Sequence, residues 1–256
     1  MGKYKFFIIA FFTLFFSSCD KKTENMSRST YYTAFEIQGN NPAIVQVGEP
    51  YVDAGAIASE HGKDVTSGME VVSNVNADSM GMYKVEYSHV NIDGLKSRAI
   101  REVIVCNPGV TTDLSGMWRS QPGSWRILNS GAQTFYENYF VQGRSPFDYQ
   151  SPVTYLAPGF FHVNDFLGGW HAGTQAIHPQ VHRLVMSGYF ALNEDNTISM
   201  ISGYLPGVNF AWNSEMEKLE NGRYNPETGE ITWDVYHEIF SGGRINKFVY
   251  HVILKK

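Results

Sequence analysis

The sequence has little positive charge and little charge of any kind. Lys and Arg number 20 against 25 Asp and Glu, which gives a formal net charge of −5. A protein that binds nucleic acid is expected to carry a basic excess, and this sequence has none. Hydrophobic residues make up 43% of the chain and aromatic residues 14%, which is too much apolar surface for a chain that stays unfolded. We therefore expect folded domains and no nucleic-acid partner.

Long apolar runs are also scarce, and the one at the N-terminus is short. Residues 6–16 are apolar at all positions but one. This run is too short to span a bilayer, which needs about 20 residues, and it has the length of a signal-peptide core. The following Phe16-Ser17-Ser18-Cys19 resembles a bacterial lipobox, which implies cleavage before Cys19 and lipid on its thiol. We thus predict a signal peptide at residues 1–18, with an ordinary secretory signal as the alternative.

Cleavage at that point determines how the mature chain meets the membrane. It leaves 18 basic against 25 acidic residues, a formal charge of −7, so the lipid and not the surface charge must hold the protein on an anionic membrane. Residues 19–29 are polar without periodicity and predict a lipidated tether. Cys106 is then the single further cysteine, so no intramolecular disulfide forms and stability must come from the cores.

Helical periodicity is missing too, and the pattern indicates an all-β protein. Residues 30–107 contain about seven short strands, the number expected of an immunoglobulin-like sandwich. Residues 108–113 have the composition of a linker. The remaining residues, 114–256, predict an antiparallel barrel or sandwich of roughly eight to ten strands. Within them, residues 224–229 are predicted to form a tight turn before another strand.

Two groups of motifs resemble known domains. The first domain resembles the bacterial surface Ig-like domain, which also occurs in some pesticidal crystal proteins. The resemblance rests on four runs of residues: Val47-Gly48-Glu49-Pro50-Tyr51-Val52-Asp53-Ala54-Gly55-Ala56, Gly62-Lys63-Asp64-Val65-Thr66, Gly81-Met82-Tyr83-Lys84-Val85 and Arg101-Glu102-Val103-Ile104-Val105. Motifs at 161–170 and 225–233 resemble the C-terminal domain of two-domain Bacteroidota lipoproteins that begin with this Ig-like domain. The resemblance implies an outer-membrane lipoprotein exposed at the cell surface, beside proteins of a nutrient-uptake system, often one for glycans.

Motifs for catalysis or metal binding are lacking. The sequence contains no Gly-x-Ser-x-Gly element and no zinc-protease spacing, so we predict no enzyme, no metal site and no cofactor. Asp53 and Asp64 are interpreted as turn residues, with calcium ligation as the alternative. Asp165 and Asp234 are predicted to lie beside turns or on solvated faces, as most carboxylates of this domain are.

The aromatic residues give the better indication of function. Trp170 and Trp212 are flanked by Gly, Asn and His, which is typical of rings exposed at turns, and such rings stack on sugars while polar neighbours bind the hydroxyls. We predict a ligand-binding site at Trp170, His171, Trp212 and Asn213, and a lipid-anchored surface protein that captures glycan for uptake. Two alternatives remain: a barrel that encloses an apolar ligand, and a structural or partner-docking protein without a small ligand.

Overall fold

The computed structural model describes residues 29–138, 149–170, 185–204, 216–241 and 243–256. In these ranges the chain is built from strands, with two short 3-10 turns at Thr66–Gly68 and Tyr136–Asn138. The prediction of an all-β protein with an Ig-like domain first is therefore confirmed. No helix among the described residues has the length and apolar character needed to cross a membrane.

The first domain consists of two facing sheets. Its strands are β1 Ala34–Ile37, β2 Ala43–Gln46, β3 Ala56–Glu60, β4 Lys63–Asp64, β5 Glu70–Ser73, β6 Gly81–Val90 and β7 Lys96–Cys106. One sheet has the order β1-β3-β4, and the other has the order β2-β7-β6-β5, in which β2 runs parallel to β7. The alternation in β6 buries Val85 and Tyr87 between the sheets, where they pack against Val103 of β7.

The described residues of the second domain form ten antiparallel strands. They are β8 Gly116–Ser120, β9 Trp125–Leu128, β10 Thr134–Phe135, β11 Gln150–Ala157, β12 Phe160–Val163, β13 Ser187–Leu192, β14 Ile198–Tyr204, β15 Met216–Asn225, β16 Glu230–Ser241 and β17 Arg244–Lys255. Hydrogen bonds join them in the order β15-β16-β17-β8-β11-β12-β13-β14, with β9 and β10 attached to the other half of β17.

This order closes on itself into a barrel. A bridge between Thr197 and Arg223 and a 2.9 Å hydrogen bond from the Tyr224 N–H to the Asn196 carbonyl bring the β14 edge back to β15. Large side chains fill the described interior, among them Trp118, Trp233 and Phe190. An eight-stranded barrel has an interior that side chains can fill almost completely.

The two domains are packed against each other. Ile104 and Cys106 at the end of β7 are buried together with Ala157 and Phe160 of the barrel. Residues 108–113, predicted as a linker, also contact the second domain, because Val110 is part of the barrel's buried core. The two sheets that meet here form the walls of the cleft described below.

Candidate functional site

The loop that carries Trp170 turns the indole ring into the core. Trp170 is only 2% exposed, and its ring centroid lies 4.6 Å from that of Tyr136. The expectation of an exposed ring at this position is therefore wrong. Flanking glycines indicated an exposed turn, but here they let the chain pass close to other backbone: a Cβ on Gly169 would lie 2.5 Å from the Gln150 nitrogen.

A buried carboxyl group holds this loop. Asp165 is 2% exposed and accepts hydrogen bonds from the backbone N–H groups of Leu167, Gly169 and Met186, each at 3.0 Å. Burial raises the pKa of Asp165 to about 7, although the three backbone N–H donors oppose that rise. Asp165 lies beside a turn as predicted, since its carbonyl accepts the Gly168 N–H at 3.1 Å, but its carboxyl group is buried and not solvated.

Three of the four predicted ligand-binding residues lie outside the described part of the chain. They are His171, Trp212 and Asn213. Cys19, the predicted lipidation site, lies outside it as well. The structure thus locates only Trp170 of the predicted ligand-binding set, and that residue is in the core.

A cleft of about 300 Å³ lies between the two domains. Its apolar floor combines side chains of both domains: Met82, Ile104, Leu156 and Tyr189. Met82 and Ile104 are direct partners on β6 and β7. This pairing places both side chains on the outer face of the Ig-like sheet, against the barrel.

Polar groups line the same cleft. Thr154, His162 and Tyr189 are consecutive register partners across β11, β12 and β13, so their side chains form one row on the outer barrel wall. Glu102 adds a carboxylate from β7, and the Asn41 side chain fixes that strand by accepting the Glu102 N–H at 2.9 Å.

Burial favours the neutral form of the imidazole in this row. Partial burial lowers the pKa of His162, and its Nε2 lies 2.8 Å from the Ser187 hydroxyl. The Tyr189 ring contacts His162 edge-on at 5.1 Å and stacks on Phe160 at 6.2 Å. Among the described residues that line the cleft, Glu102 is the one Asp, Glu, Lys or Arg residue.

A second aromatic row lies on the outside of the barrel. Trp125 stacks on His251 with ring centroids 5.4 Å apart, and His251 Nδ1 lies 2.6 Å from the Asp234 carboxylate. The two rings cover one face of each other.

The two aspartates of the first domain have structural partners. Asp53 forms an ion pair with the buried Arg101 at 2.9 Å and accepts the hydroxyls of Tyr51 and Tyr87. Asp64 accepts the Thr66 N–H at 2.8 Å, as a turn residue does. The described part of the chain contains no group of three His, Cys, Asp or Glu residues arranged to hold a metal ion.

Comparisons with known proteins agree with this two-domain architecture. The family model of the bacterial surface protein Ig-like domain matches residues 35–105, and the family model of a C-terminal domain matches residues 107–256. Among solved structures, a lipoprotein from Bacteroides thetaiotaomicron is 26% identical, over 88% of this chain and 100% of that chain, with a TM-score of 0.43. None of the curated proteins matches the chain. The two family matches confirm the resemblance of an Ig-like domain followed by this C-terminal domain.

Proposed function

Because the chain belongs to the family of two-domain bacterial surface proteins whose C-terminal domain spans residues 107–256, we propose that it is a lipid-anchored cell-surface protein that captures a glycan in the cleft between its domains. The lipobox-like segment ending at Cys19 supports the anchor. The proposed location is the outer membrane, next to the proteins of an uptake system. Neither family description names a catalytic activity, so the proposed role is binding.

The composition of the cleft carries the proposal. Sugars present apolar C–H faces and hydroxyl edges, and they bind where an aromatic or aliphatic surface lies beside a few polar groups. Here Tyr189 and Leu156 supply the apolar surface, while Glu102 and Thr154 supply a carboxylate and a hydroxyl at its edge. Pockets of this kind occur preferentially at domain interfaces, and both domains contribute to this one.

The charge of the cleft selects for neutral sugars. Glu102 would repel an acidic residue in the ligand, and the mature chain as a whole is acidic. A single small binding surface of this kind gives a modest binding free energy of about −4 to −7 kcal/mol, which corresponds to a dissociation constant of roughly millimolar to ten micromolar. Attachment to the membrane raises the effective concentration of sites there, so weak binding suffices for capture.

The packing of the barrel disfavours the rival function of enclosing an apolar ligand. Trp118, Trp233 and Phe190 belong to the buried core that the described residues form inside the barrel. An enclosed lipid-like ligand would need these side chains to move apart.

The test uses the whole secreted chain carrying Cys19→Ala, screened against neutral and acidic polysaccharides by calorimetry. A neutral glycan should bind, and Glu102→Gln and Thr154→Val should each weaken it at least tenfold. The control is Glu86→Gln, which removes a carboxylate of the same Ig-like domain that pairs with Arg98. If no glycan binds, or if Glu102→Gln and Glu86→Gln behave alike, the proposal is wrong and a structural or docking role replaces it.

A further inference from the structure

One end of the Ig-like domain presents apolar side chains to solvent. The turn between β6 and β7 carries Ile92, which is 76% exposed, and the nearby Val90 and Leu95 are exposed as well. Tyr32, just before β1, is 67% exposed. Single exposed apolar residues are normal on a protein surface, but a group of them at one place indicates contact with a partner or a membrane.

Side-chain contacts hold this end of the domain together. The Asn91 side chain donates a hydrogen bond to the Tyr31 carbonyl at 2.8 Å, which joins the β6–β7 turn to the segment before β1. The Tyr31 ring lies against that of His61 in the β3–β4 turn, with centroids 3.9 Å apart. We call this end the tip, which consists of residues 31–33, 61–63 and 90–95.

The tip is also where the chain arrives from the predicted lipidation site. The described structure begins at Ser29, ten residues after Cys19. Ten residues span at most about 35 Å even when fully extended. A lipid on Cys19 therefore keeps the tip within that distance of the bilayer, and the tip is the folded part of the protein nearest to the lipid along the chain.

The chemistry of the tip suits the interface between lipid and water. Tyrosine is enriched at this interface because its ring is apolar and its hydroxyl is polar, and the aliphatic side chains can enter the apolar edge of the bilayer. The exposed charges at and beside the tip have both signs, with Lys63 and Lys96 close to Asp64 and Asp93. Because there is no basic excess, such contact does not require anionic lipid.

We propose that the tip contacts the surface of the same membrane that holds the lipid on Cys19, with the side chains of Ile92 and Tyr32 among the headgroups. This inference rests on the proposed lipid anchor. The tip is too small to hold the chain on a bilayer by itself. Attachment through Cys19 gives the tip a high effective concentration at the bilayer, so that weak contact suffices.

Contact at the tip would set the orientation of the whole molecule. Strand β7 leads from the tip to the barrel, and Ile104 at the cleft lies eight residues beyond Lys96 at the start of the strand. At about 3.3 Å per residue this distance is about 27 Å. The cleft between the domains then faces away from the bilayer, where a polysaccharide has access to it.

The test uses the chain from residue 19 onwards with Cys19→Ala and a histidine tag in place of residues 1–18. Phosphatidylcholine vesicles with a small share of nickel-chelating lipid bind the tag, so the tether is held at the bilayer without lipid on the chain. Ile92→Cys carries an environment-sensitive fluorophore, while the buried Cys106 stays unlabelled. Binding to the vesicles should raise the fluorescence at least twofold, and lipid with a nitroxide headgroup should quench it.

The matched control carries the same fluorophore on Ile44→Cys. Ile44 is exposed too, but it pairs with Ile104 at the barrel end of β7, so its fluorescence should stay unchanged when the vesicles bind. With the label at residue 92, Tyr32→Ser together with Val90→Ser should at least halve the rise. Because the tag replaces the lipid, the result does not depend on whether Cys19 is modified, which metabolic labelling with a fatty acid decides separately.

Three outcomes would overturn the proposal. The first is a label at residue 92 that does not respond to bound vesicles, or responds no more than the label at residue 44. The second is a rise that the two serine substitutions leave intact, since the fluorophore itself would then be entering the lipid. The third is a dimer of the chain without vesicles that Ile92→Ser dissociates, as measured by analytical ultracentrifugation, because the tip would then bind a second copy of the chain.

Discussion

At the scale of single residues, buried polar side chains determine the local structure of the barrel. The buried Asp165 carboxyl group accepts three backbone N–H groups. Nothing in its neighbourhood in the sequence distinguishes it from an aspartate at an exposed turn, because Met186, one of its partners, lies 21 positions away. Its role therefore could not be predicted from spacing.

We predict that Asp165→Asn lowers the free energy of unfolding by about 1–3 kcal/mol. The amide oxygen can still accept the N–H groups of Leu167 and Met186, but the new NH₂ group faces the Gly169 N–H, and two donors then oppose each other. Urea denaturation measures the change. Asp195→Asn is the control because that carboxylate sits in an exposed turn, and equal effects of the two substitutions would contradict the assignment.

His237 predicts a specific dependence of stability on pH. Its pKa is about 4 in the folded chain and about 6.5 in the unfolded chain. Between these values the unfolded chain binds the extra proton, so the stability that this group contributes is complete above pH 6.5 and is lost as the pH falls towards 4. His237→Phe should therefore gain about 3 kcal/mol relative to the parent chain between pH 7 and pH 4. A constant difference across that range would contradict the burial of a neutral imidazole.

At the scale of elements, the sequence predicted the strands better than their ends. Residues 30–107 were predicted to contain about seven short strands and contain seven, and the predicted turn at 224–229 precedes β16. In β6 the Tyr87 side chain lies on the inner face of the sheet, where its hydroxyl donates to Asp53. The partners of Asp53, in contrast, come from the loop at 51–55, from β6 and from β7, so no local pattern indicated an ion pair there.

This ion pair gives a prediction for the first domain. Asp53→Asn should lower its stability by about 3 kcal/mol, because Arg101 is almost fully buried and would lose its charged partner. Glu70→Gln, which breaks the exposed pair with Lys96, should cost less than about 1 kcal/mol. Thermal unfolding of the two variants compares their stabilities. Similar unfolding midpoints would show that the buried ion pair stabilises the domain no more than the exposed pair does.

At the scale of the whole molecule, packing between the domains creates the cleft, which neither domain has alone. Ile104 of β7 is buried against the barrel and also forms part of the cleft floor. Composition indicated the boundary between the domains. The cleft formed by β7 and β11, in contrast, depends on how two sheets pack against each other, and residue spacing contains no information on this packing. The exposed tryptophan platform predicted from glycine-flanked motifs failed at Trp170 for a related reason, since the same glycines also permit close packing.

The membrane anchor gives a prediction for the intact protein. Metabolic labelling with a fatty acid should mark the parent chain, and Cys19→Ala should remove both the label and the membrane attachment. Cys106→Ala is the matched control because that thiol is buried between the domains and should leave the label unchanged. Equal labelling of all three chains would show that the lipobox assignment is wrong.

The most direct test of the central claim is hydrogen–deuterium exchange of the whole secreted chain with and without a bound glycan. If capture occurs between the domains, exchange should slow in β7 and also in β11 and β13, so that protection appears on both sides of the cleft at once. The Glu102→Gln variant should show no such protection at the same glycan concentration. Protection confined to one domain, or absent from the cleft strands while the glycan is bound, would contradict the account.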